Sequence, residues 1–210
     1  QISRVTTDVA EAFAVADLLL LIVPAYAQRP FAEACIPYLT ERHMVVLMPG
    51  TLGSLEWAAM LAGAGKKATL AEVDTAPYVC RKTAPDEATI WGVVSGLGVG
   101  ALPAVTTEAV RARLDPLFPG MQMHPDAMAC GLSSMNPVVH PAGVLMNAGR
   151  IERSHGEFYF YEEGVTPAVV RAIMAVDDER RAIGRAFGYD LLPVNEAFHQ
   201  AGFGPKGDLW

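Results

Sequence analysis

Cysteine, charge and long apolar runs are all scarce in this sequence, and each scarcity excludes a class of function. The three cysteines, Cys35, Cys80 and Cys130, are odd in number and never fall in a CxxC spacing. They encode neither a disulfide framework nor a zinc site, and a reducing cytoplasm is the expected compartment. No HExxH and no Cys/His cluster occurs, so no metal site is expected. The longest apolar run, "LLLLIVPA" at 18–25, is far shorter than the ~20 residues needed to cross a bilayer. No basic-then-apolar leader precedes it. Basic excess is missing as well: the net charge of −7 excludes a broad attraction to nucleic acid or to an anionic membrane. It leaves room only for local basic pockets that hold a nucleotide or a carboxylate. An initiating methionine is also lacking, and the chain runs from Gln1 straight into what reads as the middle of a domain, which predicts a fragment or a processed form.

What is present is a chain made for packing. Of its 210 residues 51% are hydrophobic and only 19% charged, enough for one sizeable domain or two modest ones. Residues 8–16, "DVAEAFAVA", have helical periodicity with Thr7 or Asp8 as N-cap. The run "DLLLLIVPA" (17–25) is what a strand covered on both faces requires. The pattern then repeats. A helix over 29–43 kinked at Pro37, a buried strand "MVVLMPG" (44–50) and a helix over 52–65 are followed by strands at 67–74, 78–84 and 89–96. Alternating helix and apolar strand predicts a doubly wound α/β domain. After "FPG" at 118–120 the strand signals fade and helical ones take over. In the segment 166–188, Thr166 is placed to cap, Pro167 suits the first helical position, and Gly188 suits the C-cap; Val169, Ile173, Val176, Ile183 and Phe187 are expected to line one face. These shifts divide the chain into a partial dinucleotide-binding unit, 1–122, and a helical unit, 123–210, with no linker between them.

"SGLGVGALPA" (95–104) invites reading as a phosphate loop, but its spacing is Gly96-x-Gly98-x-Gly100, and Pro103 stands where a helix should be under way. A β-hairpin or a bulged pair of strands is the better expectation. If the first unit binds a dinucleotide, the ligand lies beyond the carboxyl ends of the parallel strands. That places Val23, Pro24 and Ala25 after the first strand, and Gly50 and Thr51 after the second, beside the nicotinamide half of the cofactor.

The segment 133–152, "SSMNPVVHPAGVLMNAGRIE", has the composition of a buried helix and yet carries Asn136, His140, Asn147, Arg150 and Glu152. Amides in an apolar segment need partners, which a cleft or a neighbouring helix can supply. Read from its segment alone, His140 is more readily a structural histidine than a catalyst, and Arg150 serves an ion pair with Glu152 or another carboxylate more readily than a ligand. His43, His124, His155 and His199 read as surface or structural residues. At the end of the third strand Glu72 and Asp74 suit an ammonium or a basic side chain, or simply a solvated strand end. Tyr78 and Cys80 suit a pocket lining, and Arg81 suits a bidentate carboxylate contact or an internal ion pair.

Four stretches, "PGTLGSLEWA" (49–58), "LAEVDTAPYVCR" (70–81), "NPVVHPAGVLMNAGRIE" (136–152) and "YEEGVTPAVVRAIMAVDDERRAIGRAFG" (161–188), resemble the octopine/nopaline (opine) dehydrogenase family in order and spacing. The Asn-x-x-x-His-Pro and Asn-Ala-Gly block is the most specific part. The resemblance implies a Rossmann-like α/β domain, here lacking its N-terminal phosphate-binding loop, followed by a mainly α-helical substrate domain. It also implies NAD or NADP as cofactor, and reductive condensation of an amino acid with a 2-oxo acid. His140 matches the family's catalytic histidine. Asn136, Asn147, Asp74, Tyr78, Cys80 and Arg81 are the expected substrate contacts. The family's aspartate partner of the histidine belongs after the "GP" at Gly204–Pro205 and is expected beyond Trp210, so activity is expected to need both missing ends. Sheet edges left open by missing strands favour self-association, a homodimer included. Two other readings stay open. One is a ketopantoate-reductase or 6-phosphogluconate-type dehydrogenase, disfavoured because those use a helix lysine and the only lysines here are Lys66, Lys67, Lys82 and Lys206. The other is a non-catalytic binding protein that keeps the fold.

Overall fold

The computed structural model describes residues 2–202, 204, 206, 207 and 209. The chain divides into two compact units, Gln1–Val93 with Leu97–Gly131, and Val94–Gly96 with Leu132–Trp210.

The first unit is built on a five-stranded sheet in the order β1-β2-β3-β6-β7. Strands β1 (Leu18–Leu21), β2 (Met44–Leu47) and β3 (Thr69–Val73) are parallel, with Leu21, Leu47 and Glu72 side by side at their carboxyl ends. The connections are helices: α1 (Val9–Val15), capped by the Asp8 carboxylate, leads into β1, while α2 (Ala25–Cys35) and α3 (Gly53–Gly63) follow β1 and β2. The strand residues alternate between two cores. Val45, Leu47 and Leu70 pack with Ala32, Trp57 and Leu61, and Val46, Ala71 and Val73 pack with Val99, Val110 and Leu114. A continuous apolar run is therefore what β2 needs, since both its faces are covered. β1 is only half-buried over Leu18–Leu20, because it is an edge strand of the described sheet.

The strands expected at 78–84 and 89–96 are present as β4 (Tyr78–Ala84) and β5 (Glu87–Val93), which pair antiparallel with each other in a separate two-stranded sheet. Two sequence expectations need correction. First, helix α2 starts at Ala25 and ends at Cys35, so it carries Pro30 inside it, while Pro37 lies in a separate 3-10 turn, Ile36–Tyr38. Second, the glycine-rich segment is neither a hairpin nor a bulged pair. It is one strand, β6 (Gly98–Leu102), antiparallel to β3, with the two-residue β7 (Gln122–Met123) parallel to β6 and α4 (Thr107–Leu114) between them. The reversal of direction has a topological cause. A parallel return needs a crossover, but the chain leaves the carboxyl end of β3, makes the β4–β5 hairpin and re-enters at the same end. The Gly-x-Gly spacing is then a strand period: a Cβ on Gly98 would lie 2.3 Å from Asp74 Oδ2, and one on Gly100 would lie 2.1 Å from the Asp126 carbonyl oxygen.

The second unit is helical: α6 (Asn136–Met146), α7 (Ala148–Arg153), a π-helical turn (Phe160–Gly164), α8 (Pro167–Ala186) and α9 (Val194–Gln200). A short α5 (Ala127–Ser133) precedes these helices in the chain. Val138, Val139, Val169, Ile173 and Val194 form its core. Helix α8 buries a different face from the one expected. Val169 and Ile173 are inside, but the stripe continues through Asp177, Arg180 and Gly184, while Ile183 and Phe187 are half-exposed or more. Thr166 makes no side-chain cap bond. The buried polar pair explains the departure. Asp177 accepts from Arg180 Nε at 2.8 Å and from the Val194 amide at 3.0 Å, and the Arg180 guanidinium donates to the carbonyls of Leu132 and Leu192. The pair thus ties the last turn of α5 and the start of α9 to α8. No described helix is long and apolar enough to cross a membrane.

Removing one member of a fully hydrogen-bonded buried pair leaves the other charged and unpaired. Asp177→Ala is expected to cost about 3–5 kcal/mol, read as a lower urea midpoint with loss of α-helical circular dichroism. Val176→Ala, on the half-exposed flank of the same helix, is expected to cost under about 1 kcal/mol.

Candidate active site

Two groups of candidate residues lie in the two units. In the first unit, the carboxyl ends of β1, β2 and β3 form a crest. Val23 is half-buried, and Pro24 and Ala25 are exposed at the start of α2, whose N-cap, Pro24, offers no side-chain cap. Ile22 and Tyr26 are exposed beside them. Thr51 follows β2 with φ of 53°, next to Leu52 at 68°. Gly50 is buried: its amide donates to the Val73 carbonyl at 3.1 Å, and its own carbonyl accepts from Gln28 Nε2 at 3.2 Å. Gln28 also donates to the Pro49 carbonyl, while Trp57 Nε1 donates to the Gln28 carbonyl. The loop after β2 is therefore tied to α2 from below.

Helix N-termini are anion sites because their first amides lack intrahelical partners. At α3 that site is already filled. Glu72, fully buried, accepts from the Leu52 amide at 3.0 Å, the Ser54 amide at 3.1 Å and the Ser54 hydroxyl at 2.6 Å. Burial pushes its carboxyl above the ordinary glutamate value, against the lowering pull of the Ser54 hydroxyl and the two amides. Only glycine fits around it, since a Cβ on Gly50 would lie 2.1 Å from Glu72 Cβ, and one on Gly131 would lie 2.4 Å from Glu72 Oε1. Glu72 is thus an internal helix cap and not a ligand for an ammonium.

Asp74, two residues on, is half-buried. Its Oδ1 accepts from the Gly98 amide at 3.1 Å, and its Oδ2 lies 3.4 Å from His124 Nε2. His124, read from sequence as surface or structural, is the partner of this carboxylate. The expected contacts Tyr78, Cys80 and Arg81 sit on the β4–β5 hairpin, exposed. The Tyr78 ring lies 6.3 Å from that of Phe118, and Arg81 donates to the adjacent Cys80 carbonyl. All three belong to the two-stranded sheet and not to the main one.

In the second unit, His140 lies on α6 between two prolines, Pro137 in the first turn and Pro141 inside the helix. Its imidazole is solvent-accessible on one side and flanked by aromatic rings on the other. Phe160 meets it edge-on at 5.4 Å and Tyr161 at 6.4 Å, and Nε2 is 3.1 Å from the Tyr161 hydroxyl. Loss of water around the ring lowers its pKa below the ordinary 6.5, because burial disfavours the charged form. Asn136 is half-buried at the start of α6. The Asn147 amide nitrogen donates to the carbonyls of Gly143 and Gly164, so it joins α6 to the π turn. Arg150 pairs with Glu163 at 3.0 Å, not with Glu152. Tyr161 was missed as a partner of His140. The signal was its place in "FYFYEEG", an aromatic run too short to be read as core.

The chain is similar to known proteins. Residues 123–206 match the family model described as NAD/NADP octopine/nopaline dehydrogenase, alpha-helical domain. An opine dehydrogenase of Arthrobacter sp. is 30% identical over 198 residues, covering 93% of this chain and 55% of the relative. A vitopine synthase of Allorhizobium ampelinum is 29% identical over 185 residues, covering 87% and 51%. The chain therefore spans about half the length of the curated relatives it matches. A solved octopine dehydrogenase in complex with NADH and agmatine superposes with a TM-score of 0.75 at 19% identity, over all of this chain and 56% of that one, and shares its fold.

The carboxyl of Glu72 has a testable pH signature. With a folded pKa above its unfolded one, the folded state holds the proton more tightly. Its contribution to stability therefore falls as pH rises from the ordinary 4.5 through the folded value. The difference in urea midpoint between Glu72→Gln and the parent should change across that window in the direction that disfavours the parent at higher pH. On the alkaline side the variant should still be less stable by about 1–3 kcal/mol, because an amide cannot accept all three donors.

Proposed function

Since the chain belongs to the octopine/nopaline (opine) dehydrogenase family, we propose that it is the part of an NAD(P)H-dependent oxidoreductase that joins an amino acid to a 2-oxo acid at a new CH–NH bond, with His140 as general acid and base. The observation that carries this reading is the setting of His140. It stands within the matched helical segment, open to solvent on one side and held at Nε2 on the other, with a pKa depressed by its apolar neighbours. A histidine kept neutral near pH 7 is ready to accept a proton, and its imidazolium is acidic enough to return one.

Bound NAD(P)H supplies the hydride that reduces the imine carbon. Forming the imine requires a proton on the departing oxygen, and the reverse reaction requires a base to take one from the amine or from water. His140 can serve both directions. The crest supports a cofactor reading in part. Val23, Pro24 and Ala25 stand at an uncapped helix start beside the exposed Ile22 and Tyr26, which suits a flat, partly apolar ring. Gly50 and Thr51 border a helix start already occupied by Glu72, which suits a backbone contact and not a phosphate. Asp74, kept in place by the Gly98 amide and His124, suits the ammonium of the amino acid. Cys80, Tyr78 and Arg81 present an exposed thiol, phenol and guanidinium from the hairpin of the first unit, which suit a carboxylate or a polar substrate group. Within the second unit, Asn136 offers an amide at the start of the His140 helix, and Asn147 supports the π turn.

The test is to express the chain in its native reading frame with any flanking coding sequence, and to follow NADH or NADPH oxidation with pyruvate and a panel of amino acids. Amino-acid-dependent oxidation should appear, and His140→Ala should lower kcat by about 10²–10⁴-fold. In the oxidative direction kcat/KM should fall on the acid side at a pH below 6.5, where the imidazole of His140 takes up its proton. A variant as active as the parent would remove His140 from the chemistry.

A further inference from the structure

We infer that Tyr161 is a positioning residue for His140: its hydroxyl receives the Nε2–H edge of the imidazole, fixes the ring's rotation and favours the protonated ring. This inference rests on the dehydrogenase reading for its functional meaning, but its geometry stands alone.

Tyr161 lies on the π-helical turn, and π turns are rare and concentrate at functional sites. This one is held at four points. The Glu163 amide donates to the Tyr159 carbonyl at 2.9 Å, and the Tyr159 amide donates to Glu163 Oε1 at 2.8 Å. Arg150 reaches Glu163 Oε2 at 3.0 Å, and Asn147 donates to the Gly164 carbonyl at 2.9 Å. The last two contacts come from the end of the histidine's own helix and from α7, so the turn and the imidazole share one support. Phe160 completes the clamp. Its ring lies where a Cβ on Gly143 would be 2.3 Å away, so only glycine three residues after His140 lets the ring reach both α6 and the imidazole. The Phe160 and Tyr161 rings meet edge-on at 5.0 Å.

The direction of the effect follows from charge. A phenol oxygen accepts more strongly from an imidazolium N–H than a phenol donates to a neutral ring, because charge-assisted bonds are the stronger kind. Tyr161 therefore opposes the desolvation that lowers the pKa of His140. Charges on the elements packed against α6 are Arg150, Glu152 and Arg153 of α7, Glu162 and Glu163 of the π turn, and, on α8, Arg171, the buried pair Asp177 and Arg180, and Asp178, Glu179, Arg181 and Arg185. Loss of water lowers the pKa of the ring. The Tyr161 hydroxyl, 3.1 Å from Nε2, is the polar group that meets the imidazole edge.

Tyr161→Phe isolates the hydroxyl, since the ring and its packing remain. Nuclear magnetic resonance titration of the histidines in the full 210-residue chain, with the His140 signal assigned by its loss in His140→Ala, should show the pKa of His140 falling by about 0.5 or more in Tyr161→Phe. An unchanged thermal melt will confirm that the variant folds. In the cofactor-oxidation assay kcat should fall roughly three- to tenfold with KM unchanged. If the titration shifts as stated but the chain expressed with its flanking coding sequence oxidises neither NADH nor NADPH, the positioning role stands and the dehydrogenase reading fails. A His140 pKa that is unmoved or raised by Tyr161→Phe overturns the positioning role, whatever the activity.

Discussion

The buried carboxylate of Glu72 accepts three hydrogen bonds from the first turn of α3, and the arrangement of the first unit depends on it. A carboxylate can be buried only when donors surround it. Here the donors come from one helix start, so β3 and α3 are fixed to each other at the crest. The same side chain sets what can stand nearby: Gly50 in the loop after β2 and Gly131 in α5 both owe their lack of a Cβ to it. Its backbone carbonyl accepts from the buried Cys130 thiol, which anchors α5 as well. A single acidic residue thereby ties together a strand, two helices and the loop where a ligand is expected.

The second unit uses the same device in another place. The Asp177–Arg180 pair replaces part of an apolar helix stripe with a network that reaches the Leu132 carbonyl at the end of α5, the Leu192 carbonyl and the amide that starts α9. Buried pairs of this kind add little net stability but are costly to break. They define register, since a slip of α8 would leave two charges without partners. His140 benefits from that definition, because α6 packs on α8 and the π turn closes over it.

Both candidate sites combine a fixed carboxylate or aromatic clamp with an accessible polar group. Asp74 is held by a backbone amide and a histidine; His140 is held by a phenol and two rings. Such clamping is what catalysis requires, since a general base works only within hydrogen-bond reach and in a fixed orientation.

The alternation of apolar runs and helical periods determined by itself that β1, β2 and β3 would lie parallel between covering helices and that the C-terminal part would be helical, because burial on two faces leaves a composition that is readable along the chain. The polar residues of the block around His140 stand out against its apolar composition, while a role for the histidine rests on the resemblance to a known family. The tertiary structure alone decided the rest. It turned the Gly96–Gly100 spacing into an antiparallel strand, because a hairpin instead of a helix follows β3, and no local pattern records that choice. It made Glu72 a cap for a helix 18 residues away in sequence, joined Asp74 to His124 across 50 residues, and brought Tyr161 to His140 across 21. Hydrogen bonds between residues so far apart leave no periodicity in the sequence; they exist only once packing has brought the partners within reach.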